Sequence, residues 1–337
     1  MSHPNVSTPV LPVQSLFARL RQNSWPCLLI LPTVIAFVLF LCVLVNADAR
    51  SLATSLEQPT LTVRSAPLSA NATVVTPTFT AQYFGGPKNT TSVAVGDLNG
   101  DGALDIVQGN SGEPSIVYWN DGAGGFVAGP QLSGVYSKTT SIAVGDLNGD
   151  GALDIVQGNS DGASVVYWND GKGGFTRTIE LTGSTKSVAV GDLNGDGVLD
   201  IVLSNPSWSL SVVYWNDGKG SLAVTSTLGE QGGSVAVGDL DGDGVLDIAV
   251  VNTWGLVVYW NDGKGKFTAS DPRSIPFCSY LTSIAVGDLD GNGTLDIVAG
   301  ANSLPLWPMS NSAPNCMFWN KGRREFTRTF LSVQKAI

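Results

Sequence analysis

Five copies of one short acidic loop restrict the folds available to this sequence more than any other feature does. The first copy reads DLNGDGALD, and the first residues of successive copies lie 49, 46, 47 and 49 positions apart. A fixed period of this length is typical of repeat architectures, in which each repeat is one supersecondary unit. The five copies, named acidic loops 1 to 5, are Asp97–Asp105, Asp146–Asp154, Asp192–Asp200, Asp239–Asp247 and Asp288–Asp296.

Each acidic loop carries oxygen-bearing side chains at alternate positions, with glycines between them. This pattern suits a hard cation such as Ca²⁺, which takes about six to eight oxygen ligands. We predict four side-chain ligands in each loop and one backbone carbonyl at its seventh position. The predicted metal ligands are Asp97, Asn99, Asp101, Ala103, Asp105, Asp146, Asn148, Asp150, Ala152, Asp154, Asp192, Asn194, Asp196, Val198, Asp200, Asp239, Asp241, Asp243, Val245, Asp247, Asp288, Asp290, Asn292, Thr294 and Asp296.

The alternative is that these loops are plain turns, since Asn, Asp and Gly favour turns without any metal. Charge favours the calcium interpretation. Of the 28 acidic residues, 16 lie in the five loops, where unneutralised carboxylates repel one another. Five divalent ions would add ten positive charges against a formal net charge of −10. The number of carboxylates predicts that loop 4 binds calcium most tightly. Loop 5, with Asn292 where the other loops have aspartate, is predicted to bind it more weakly. The acidic balance argues against nucleic-acid binding.

Strand patterns surround each acidic loop in the same order. In the first repeat they predict strands over Ser92–Leu98, Leu104–Gln108 and Ile116–Asn120, and a fourth starting near Phe126. An Asn-Asp-Gly turn, typical of tight hairpins, joins the last two. Four short antiparallel strands per repeat match one blade of a β-propeller. The recurring aromatic pair at the end of the third strand, Tyr118 and Trp119 in repeat 1, is predicted to pack between blades; a sugar-stacking platform is the alternative.

The unit SVAVGDLNGDGxLDIV…VVYWNDGxGxF resembles the FG-GAP/VCBS repeat of integrin-α-like β-propellers, over about residues 78–330. The resemblance implies a calcium-stabilised propeller used for extracellular adhesion or recognition. We therefore expect an all-β fold, a β-propeller of about five four-stranded blades preceded by one N-terminal hydrophobic helix. The sequence departs from integrins in having five repeats where integrin propellers have seven blades.

The N-terminal region predicts export of the repeats. Cys27 to Val45 is almost wholly apolar and, as a helix, would span roughly 28 Å, close to a bilayer core. Arg19 and Arg21 precede it, which favours a cytoplasmic N-terminus. Ala47-Asp48-Ala49 resembles a signal-peptidase site, so a cleaved signal and an uncleaved anchor both remain open. Either outcome makes the repeats extracytoplasmic, secreted or membrane-anchored. The predicted division is a cytoplasmic segment (1–25), a signal anchor or signal-peptide core (26–46), a flexible stalk (47–77) and the propeller (78–337).

Two cysteines, Cys278 and Cys316, lie outside the apolar segment. Both fall in connections predicted at the same face of the last blade, and export permits disulfides. The sequence therefore predicts a Cys278–Cys316 disulfide, with two unrelated thiols as the alternative.

Catalytic motifs are scarce, and the sequence predicts that the protein is not an enzyme. The only histidine, His3, precedes the apolar segment, which excludes a histidine-based triad from the exported part. A glycosidase needs two carboxylates at one cleft, whereas Glu113, Glu180 and Glu230 are scattered. The favoured function is a non-catalytic adhesion or recognition module for an extracellular protein or glycan. A calcium-dependent lectin is the alternative, and a polysaccharide-active enzyme or a purely structural surface protein is less favoured.

Meander topology predicts where a partner would bind. In a four-stranded meander, the connection between the first and second strands and the connection between the third and fourth strands lie at the same edge. The uniform acidic loops and the Asn-Asp-Gly turns therefore lie together. The sequence-variable connections lie at the other edge and include Trp208, Trp254 and Trp307. Exposed Trp on loops is a common binding anchor, so these three are predicted to bind the ligand. The alternative is that each Trp folds back over its own blade.

Overall fold

The computed structural model describes residues 83–132, 138–181, 183–206, 210–229, 232–252, 254–271, 274–302 and 315–331. Within these ranges the fold is all-β: twenty strands and no helix. All the strands belong to one compact unit, Gly85–Ile337. No helix in the described part is long and apolar enough to cross a membrane. The predicted N-terminal helix, signal or anchor, and stalk lie outside the described residues.

The strands form five four-stranded antiparallel sheets, numbered 1 to 5 along the chain. Sheet 1 contains β1 (Thr90–Gly96), β2 (Asp105–Asn110), β3 (Ser115–Asn120) and β4 (Phe126–Leu132). Sheet 2 contains β5 (Thr139–Gly145), β6 (Asp154–Asn159), β7 (Ser164–Asn169) and β8 (Phe175–Leu181). Sheet 3 contains β9 (Ser187–Gly191), β10 (Asp200–Ser204), β11 (Ser211–Asn216) and β12 (Leu222–Leu228). Sheet 4 contains β13 (Ser234–Gly238), β14 (Asp247–Asn252), β15 (Gly255–Asn261) and β16 (Phe267–Ala269). Sheet 5 contains β17 (Leu281–Gly287), β18 (Asp296–Ala301), β19 (Asn315–Asn320) and β20 (Phe326–Leu331).

Every sheet is a simple meander, with strands hydrogen-bonded in chain order. This confirms the prediction of five blade-like units of four strands. The first strand of each sheet ends earlier than its sequence pattern indicates: β1 stops at Gly96 rather than Leu98. The reason is local, because the carboxylate of Asp97 accepts the backbone N–H groups of Gly100 and Gly102 and turns the chain.

The apolar cores lie between successive sheets, as expected where each repeat cannot bury its apolar faces alone. One cluster combines Val107 and Val117 of sheet 1 with Ile155 and Tyr167 of sheet 2, all buried. Equivalent clusters join sheets 2 and 3, 3 and 4, and 4 and 5. The third-strand aromatics contribute to them: Trp119 stacks on Phe175 of the next sheet, with ring centroids 6.5 Å apart. Their role between sheets is thus the predicted one.

Two contacts, one polar and one apolar, recur at each of the four junctions between sheets. The asparagine that ends the third strand of one sheet donates its Nδ2–H to a leucine carbonyl in the acidic loop of the previous sheet. The nitrogen and the oxygen lie 2.6–2.7 Å apart. A leucine at the end of each of acidic loops 2 to 5 also covers a glycine of the preceding sheet. At the second junction a Cβ on Gly145 would lie 2.6 Å from Leu199 Cδ1. Glycine thus permits the close approach of neighbouring sheets.

Candidate functional site

The first aspartate of each acidic loop fixes the loop's shape by accepting backbone N–H groups from within the loop. In loop 1 Asp97 Oδ1 accepts the N–H groups of Gly100 at 2.8 Å and Asp101 at 3.1 Å. Asp97 Oδ2 accepts the N–H of Gly102 at 2.8 Å. Gly100 and Gly102 have φ of +74° and +88°, a region that side chains disfavour. The same bonds recur in loops 2 to 5, so the sequence motif encodes one backbone shape.

The last aspartate of each loop starts the second strand and is fully buried. In loop 2 Asp154 accepts the N–H of Leu147 through Oδ2 and that of Asn169 through Oδ1. Burial is the larger effect, and it raises the pKa of Asp154, Asp200 and Asp247 to about 6 despite these hydrogen bonds. Burial also raises the pKa of Asp105. A buried carboxylate of this kind is costly when charged unless a cation or proton compensates it.

In loops 4 and 5 three carboxylates converge. Oxygen atoms of Asp239, Asp241 and Asp247 all lie within 4.8 Å of one another, and so do those of Asp288, Asp290 and Asp296. Loops 1 to 3 have asparagine at the third position. There Asn99 Nδ2 donates to Asp101 Oδ2 at 2.9 Å, so an amide hydrogen already compensates one carboxylate oxygen. Loops with aspartate at the third position therefore carry more uncompensated negative charge for a cation to neutralise than loops with asparagine there.

The donor set fits calcium in chemical type. All the predicted side-chain ligands offer oxygen, and each carboxylate oxygen that accepts one N–H keeps a second lone pair. A bound cation would also compensate the negative charge of the buried last aspartate. The predicted ligands of all five loops lie within the described residues, on the edge of each sheet that also carries the turn between its third and fourth strands. This edge is named the acidic-loop edge.

Loop 4 differs from the others because Arg324 of sheet 5 reaches it. Both Nε and one terminal nitrogen of Arg324 lie 2.7 Å from Asp241 Oδ2, and its guanidinium lies 4.8 Å from the Trp260 ring centroid. Arg324 has φ +66°, whereas the four equivalent turn positions are glycines. The four are Gly124, Gly173, Gly220 and Gly265. A non-glycine residue held in this region stores backbone strain that its surroundings must offset. The carboxylate count did not anticipate this internal counter-charge.

The opposite edge, named the variable edge, exposes aromatic side chains. Trp254, in the turn between β14 and β15, is 76% exposed, and Phe277, before β17, is 69% exposed. The two segments meet: a Cβ on Gly255 would lie 3.1 Å from the carbonyl oxygen of Cys278. Tyr280 is also exposed and has φ +59°. Trp254 therefore does not fold back over its sheet, whereas Trp208 and Trp307 lie outside the described residues.

A disulfide joins Cys278 to Cys316, with the two Cα atoms 6.7 Å apart. It ties the segment before β17 to β19 inside the core shared by sheets 4 and 5. Phe277 was not singled out from the sequence. The available signal was its position beside a predicted disulfide cysteine in a sequence-variable connection.

Comparison with known families agrees with the repeat organisation. A family model described as "FG-GAP-like repeat" matches four times, over residues 97–157, 146–203, 192–250 and 239–299. Together the matches cover well over half of the chain. Each extends from one acidic loop to the strands beyond the next loop, so the family pattern includes the acidic loops themselves. No curated protein matches the chain in sequence.

Two solved structures resemble the chain over 72% of its length. One is an Agrocybe aegerita lectin described as recognising non-reducing terminal N-acetylglucosamine, with 21% identity and a TM-score of 0.48. The other is the V. cholerae biofilm matrix protein Bap1, with 19% identity and a TM-score of 0.45. The chain covers 66% of the lectin chain and 40% of the Bap1 chain, so it spans only part of either protein.

Proposed function

Because this chain belongs to the FG-GAP-like repeat family, we propose that its repeat domain is an exported, calcium-stabilised recognition module without catalytic activity. The observation that supports this most is the separation of two kinds of surface. The acidic-loop edge repeats one backbone shape five times, whereas the variable edge exposes Trp254 and Phe277. A uniform edge suits a structural cation, and a variable edge on a rigid scaffold suits recognition.

Calcium has a structural role in this proposal. In each loop the first, third and last acidic or amide side chains would hold the ion, together with the fifth residue and the seventh carbonyl. When bound, the ion supplies positive charge that compensates the buried last aspartate. The protein itself shapes the loop, through the N–H groups that the first aspartate accepts. Binding to the folded state alone stabilises that state by mass action.

The variable edge would bind the partner through aromatic contact. Trp254 and Phe277 bring large, stiff apolar surfaces to solvent, and such residues dominate the free energy of many interfaces. The disulfide beside Phe277 limits the conformational entropy that binding would remove. A protein surface or a glycan fits this chemistry, since sugar rings also stack on aromatic faces. The lectin alternative is favoured by the exposed indole of Trp254, and an enzyme is not favoured because most carboxylates belong to the acidic loops.

A glycan array probed with the full chain in calcium tests the partner class. A strong sugar signal would favour the lectin alternative, and silence would favour recognition of a protein.

We predict that the double variant Trp254→Ala/Phe277→Ala binds the identified partner at least tenfold more weakly. Both side chains are large, exposed aromatic groups of the kind that dominate binding free energy. Phe330→Ala is the matched control, since Phe330 is an exposed aromatic residue on the outermost strand β20. Surface plasmon resonance gives the affinities, and thermal melts show whether the variants remain folded. Full affinity in the Trp254/Phe277 variant would move the binding surface away from the variable edge.

A further inference from the structure

Three of the five acidic loops contain an Asn-Gly pair at their third and fourth positions. The pairs are Asn99-Gly100, Asn148-Gly149 and Asn194-Gly195. Asparagine loses its side-chain amide most readily before glycine, because glycine has no side chain to hinder attack by its own backbone nitrogen. In each pair the asparagine is half-buried and the glycine is exposed, so water can reach the reacting groups.

The reaction needs no bound ligand, since both reacting groups belong to the chain. In loop 1 the backbone nitrogen of Gly100 attacks Cγ of Asn99 and gives up its proton. A C–N bond forms, and the bond to Nδ2 breaks as ammonia leaves, which closes a succinimide ring. Water then opens the ring at either of its carbonyl groups. One opening gives aspartate, and the other gives isoaspartate, in which the main chain runs through the former side chain and is longer by a carbon atom.

The folded loop holds both reacting groups in place. The Gly100 N–H donates to Asp97 Oδ1 at 2.8 Å. Asn99 Nδ2 donates to Asp101 Oδ2 at 2.9 Å, and Asn99 Oδ1 accepts the Asp101 N–H at 3.0 Å. Closing the ring rotates the Asn99 amide and the Gly100 peptide, so these bonds must break first. The same three bonds recur in loops 2 and 3.

We propose that Asn99, Asn148 and Asn194 are deamidation sites that the closed loop protects and that react when the loop opens. Loops 4 and 5 show that the aspartate product fits the fold. They carry Asp241 and Asp290 at the same position, with the same N–H bonds to their first aspartates. Isoaspartate does not fit, because its longer main chain displaces the N–H groups that the first aspartate accepts. Opening therefore leaves an irreversible mark on a loop, in the form of an added negative charge with or without a lengthened main chain.

Substitution of a first aspartate tests the protection in one loop at a time. Asp97→Ala removes the acceptor of the Gly100 N–H and should speed deamidation of Asn99 about tenfold or more, as expected when a charged hydrogen-bond partner is lost. Asn148 and Asn194 lie in the same molecule and should keep their wild-type rates. The full chain is incubated in detergent at neutral pH. Peptide mapping by mass spectrometry, with chromatographic separation of aspartate from isoaspartate, gives each rate.

Three further samples make the test specific. In urea all three asparagines should react at one common, faster rate, which measures the reaction without protection. Asp121→Ala is the matched control, because Asp121 accepts backbone N–H groups in the turn between β3 and β4 of the same sheet. It should leave all three rates unchanged. Asp101→Ala frees the Asn99 side chain and keeps Asp97, so it should also speed Asn99 alone, and it replaces Asp97→Ala if melts show that variant to be unfolded.

A bound cation adds to the protection, and this arm alone rests on the proposed function. In that proposal the third side chain of each loop is a calcium ligand, so calcium holds the asparagine amide in place. All three rates should be several-fold higher in excess EDTA than in saturating calcium. Equal rates in the two buffers would overturn the share of the protection assigned to calcium, whereas the selective effect of Asp97→Ala would still support protection by the loop.

Three results would overturn protection by the loop. Reaction of the folded protein at the rate measured in urea would mean that the loops give no protection. In folded Asp97→Ala, acceleration at all three asparagines or at none would show that the Asp97 bond does not set the rate of its own loop. A slower reaction at Asn99 in that variant would give Asp97 the opposite role, that of a base that takes the proton from the Gly100 nitrogen.

Discussion

At the scale of single residues, the acidic loops are alike in backbone and different in charge. The first aspartate fixes the turn, the last is buried, and only the third and fifth positions vary between aspartate and asparagine. Loop 4 has four aspartates, but Arg324 already occupies part of the space around Asp241. A carboxylate count therefore overstates the negative charge available to a cation at loop 4.

Removing this arginine tests the point. We predict that Arg324→Gln raises the calcium affinity of loop 4 by about threefold to tenfold, because it deletes a positive charge in contact with a ligand carboxylate at a partly exposed site. Arg328→Gln removes the same charge elsewhere in sheet 5 and is the control. Titration calorimetry measures both.

The effect should vanish in an Asp243→Ala background, where loop 4 is disabled, since a coupling between two groups disappears when either is removed. Equal affinities for Arg324→Gln, Arg328→Gln and the unchanged protein would contradict the inhibitory role of Arg324.

At the scale of elements, the repeat pattern predicts the sheets well and their ends less well. Apolar stretches and Asn-Asp-Gly turns identify all four strands of a repeat, and the fourth strand of repeat 1 begins at Phe126 as predicted. β1 ends at Gly96 because the Leu98 N–H donates to Asp105 Oδ2 and the Asp97 carboxylate turns the residues that follow. A contact such as Arg324 with Asp241 could not be predicted, since it joins two repeats through a residue at which the pattern diverges.

The glycines at the junctions allow an element-scale prediction. Gly145→Ala should destabilise the domain by roughly 1–3 kcal/mol, because the added Cβ would lie 2.6 Å from Leu199 Cδ1 in a packed junction. Gly287→Ala is the matched control, with no atom within 4 Å of its added Cβ, and should change stability by less than about 0.5 kcal/mol. Urea melts give both free energies. Equal effects would mean that the junction glycines do not set the sheet spacing.

The buried aspartates at the start of the second strands predict a pH dependence. The pKa of Asp154, Asp200 and Asp247 is about 6 in the fold and exceeds the ordinary value of 3.8, so at these residues the folded state binds protons more tightly than the unfolded state does. In metal-free buffer this contribution to stability is lost as the pH rises through 6. The melting temperature should therefore fall between pH 5 and 7.

Calcium reverses the sign of this pH dependence, because protons and the cation compete for the same carboxylates. With saturating calcium the melting temperature should rise over the same pH interval. Parallel scans by circular dichroism check the prediction. A metal-free melting temperature that rises from pH 5 to 7 would show that these carboxylates are compensated by some other group.

At the scale of the whole molecule, five similar sheets share one design: acidic loops on one edge, apolar junctions between sheets, and variable connections on the other edge. The five four-stranded units and the all-β class follow from the repeat spacing together with the strand and turn patterns, and the family follows from the residues of the repeated unit. Trp254, one of the three tryptophans predicted at the variable edge, is exposed. Phe277 was not predicted, because the variable connections share no pattern that would indicate which side chains remain in solvent.

We expect the acidic loops to bind calcium and thereby stabilise the repeat domain. With ~1 mM calcium and a dissociation constant of ~0.1 mM, each loop contributes roughly 1.4 kcal/mol. Five independent loops contribute about 7 kcal/mol, comparable to the whole stability of many domains. The most direct measurement is the thermal melt of the protein at neutral pH with 1 mM calcium and with excess EDTA. We predict a midpoint that is higher by many degrees in calcium, and an unchanged midpoint would contradict the claim.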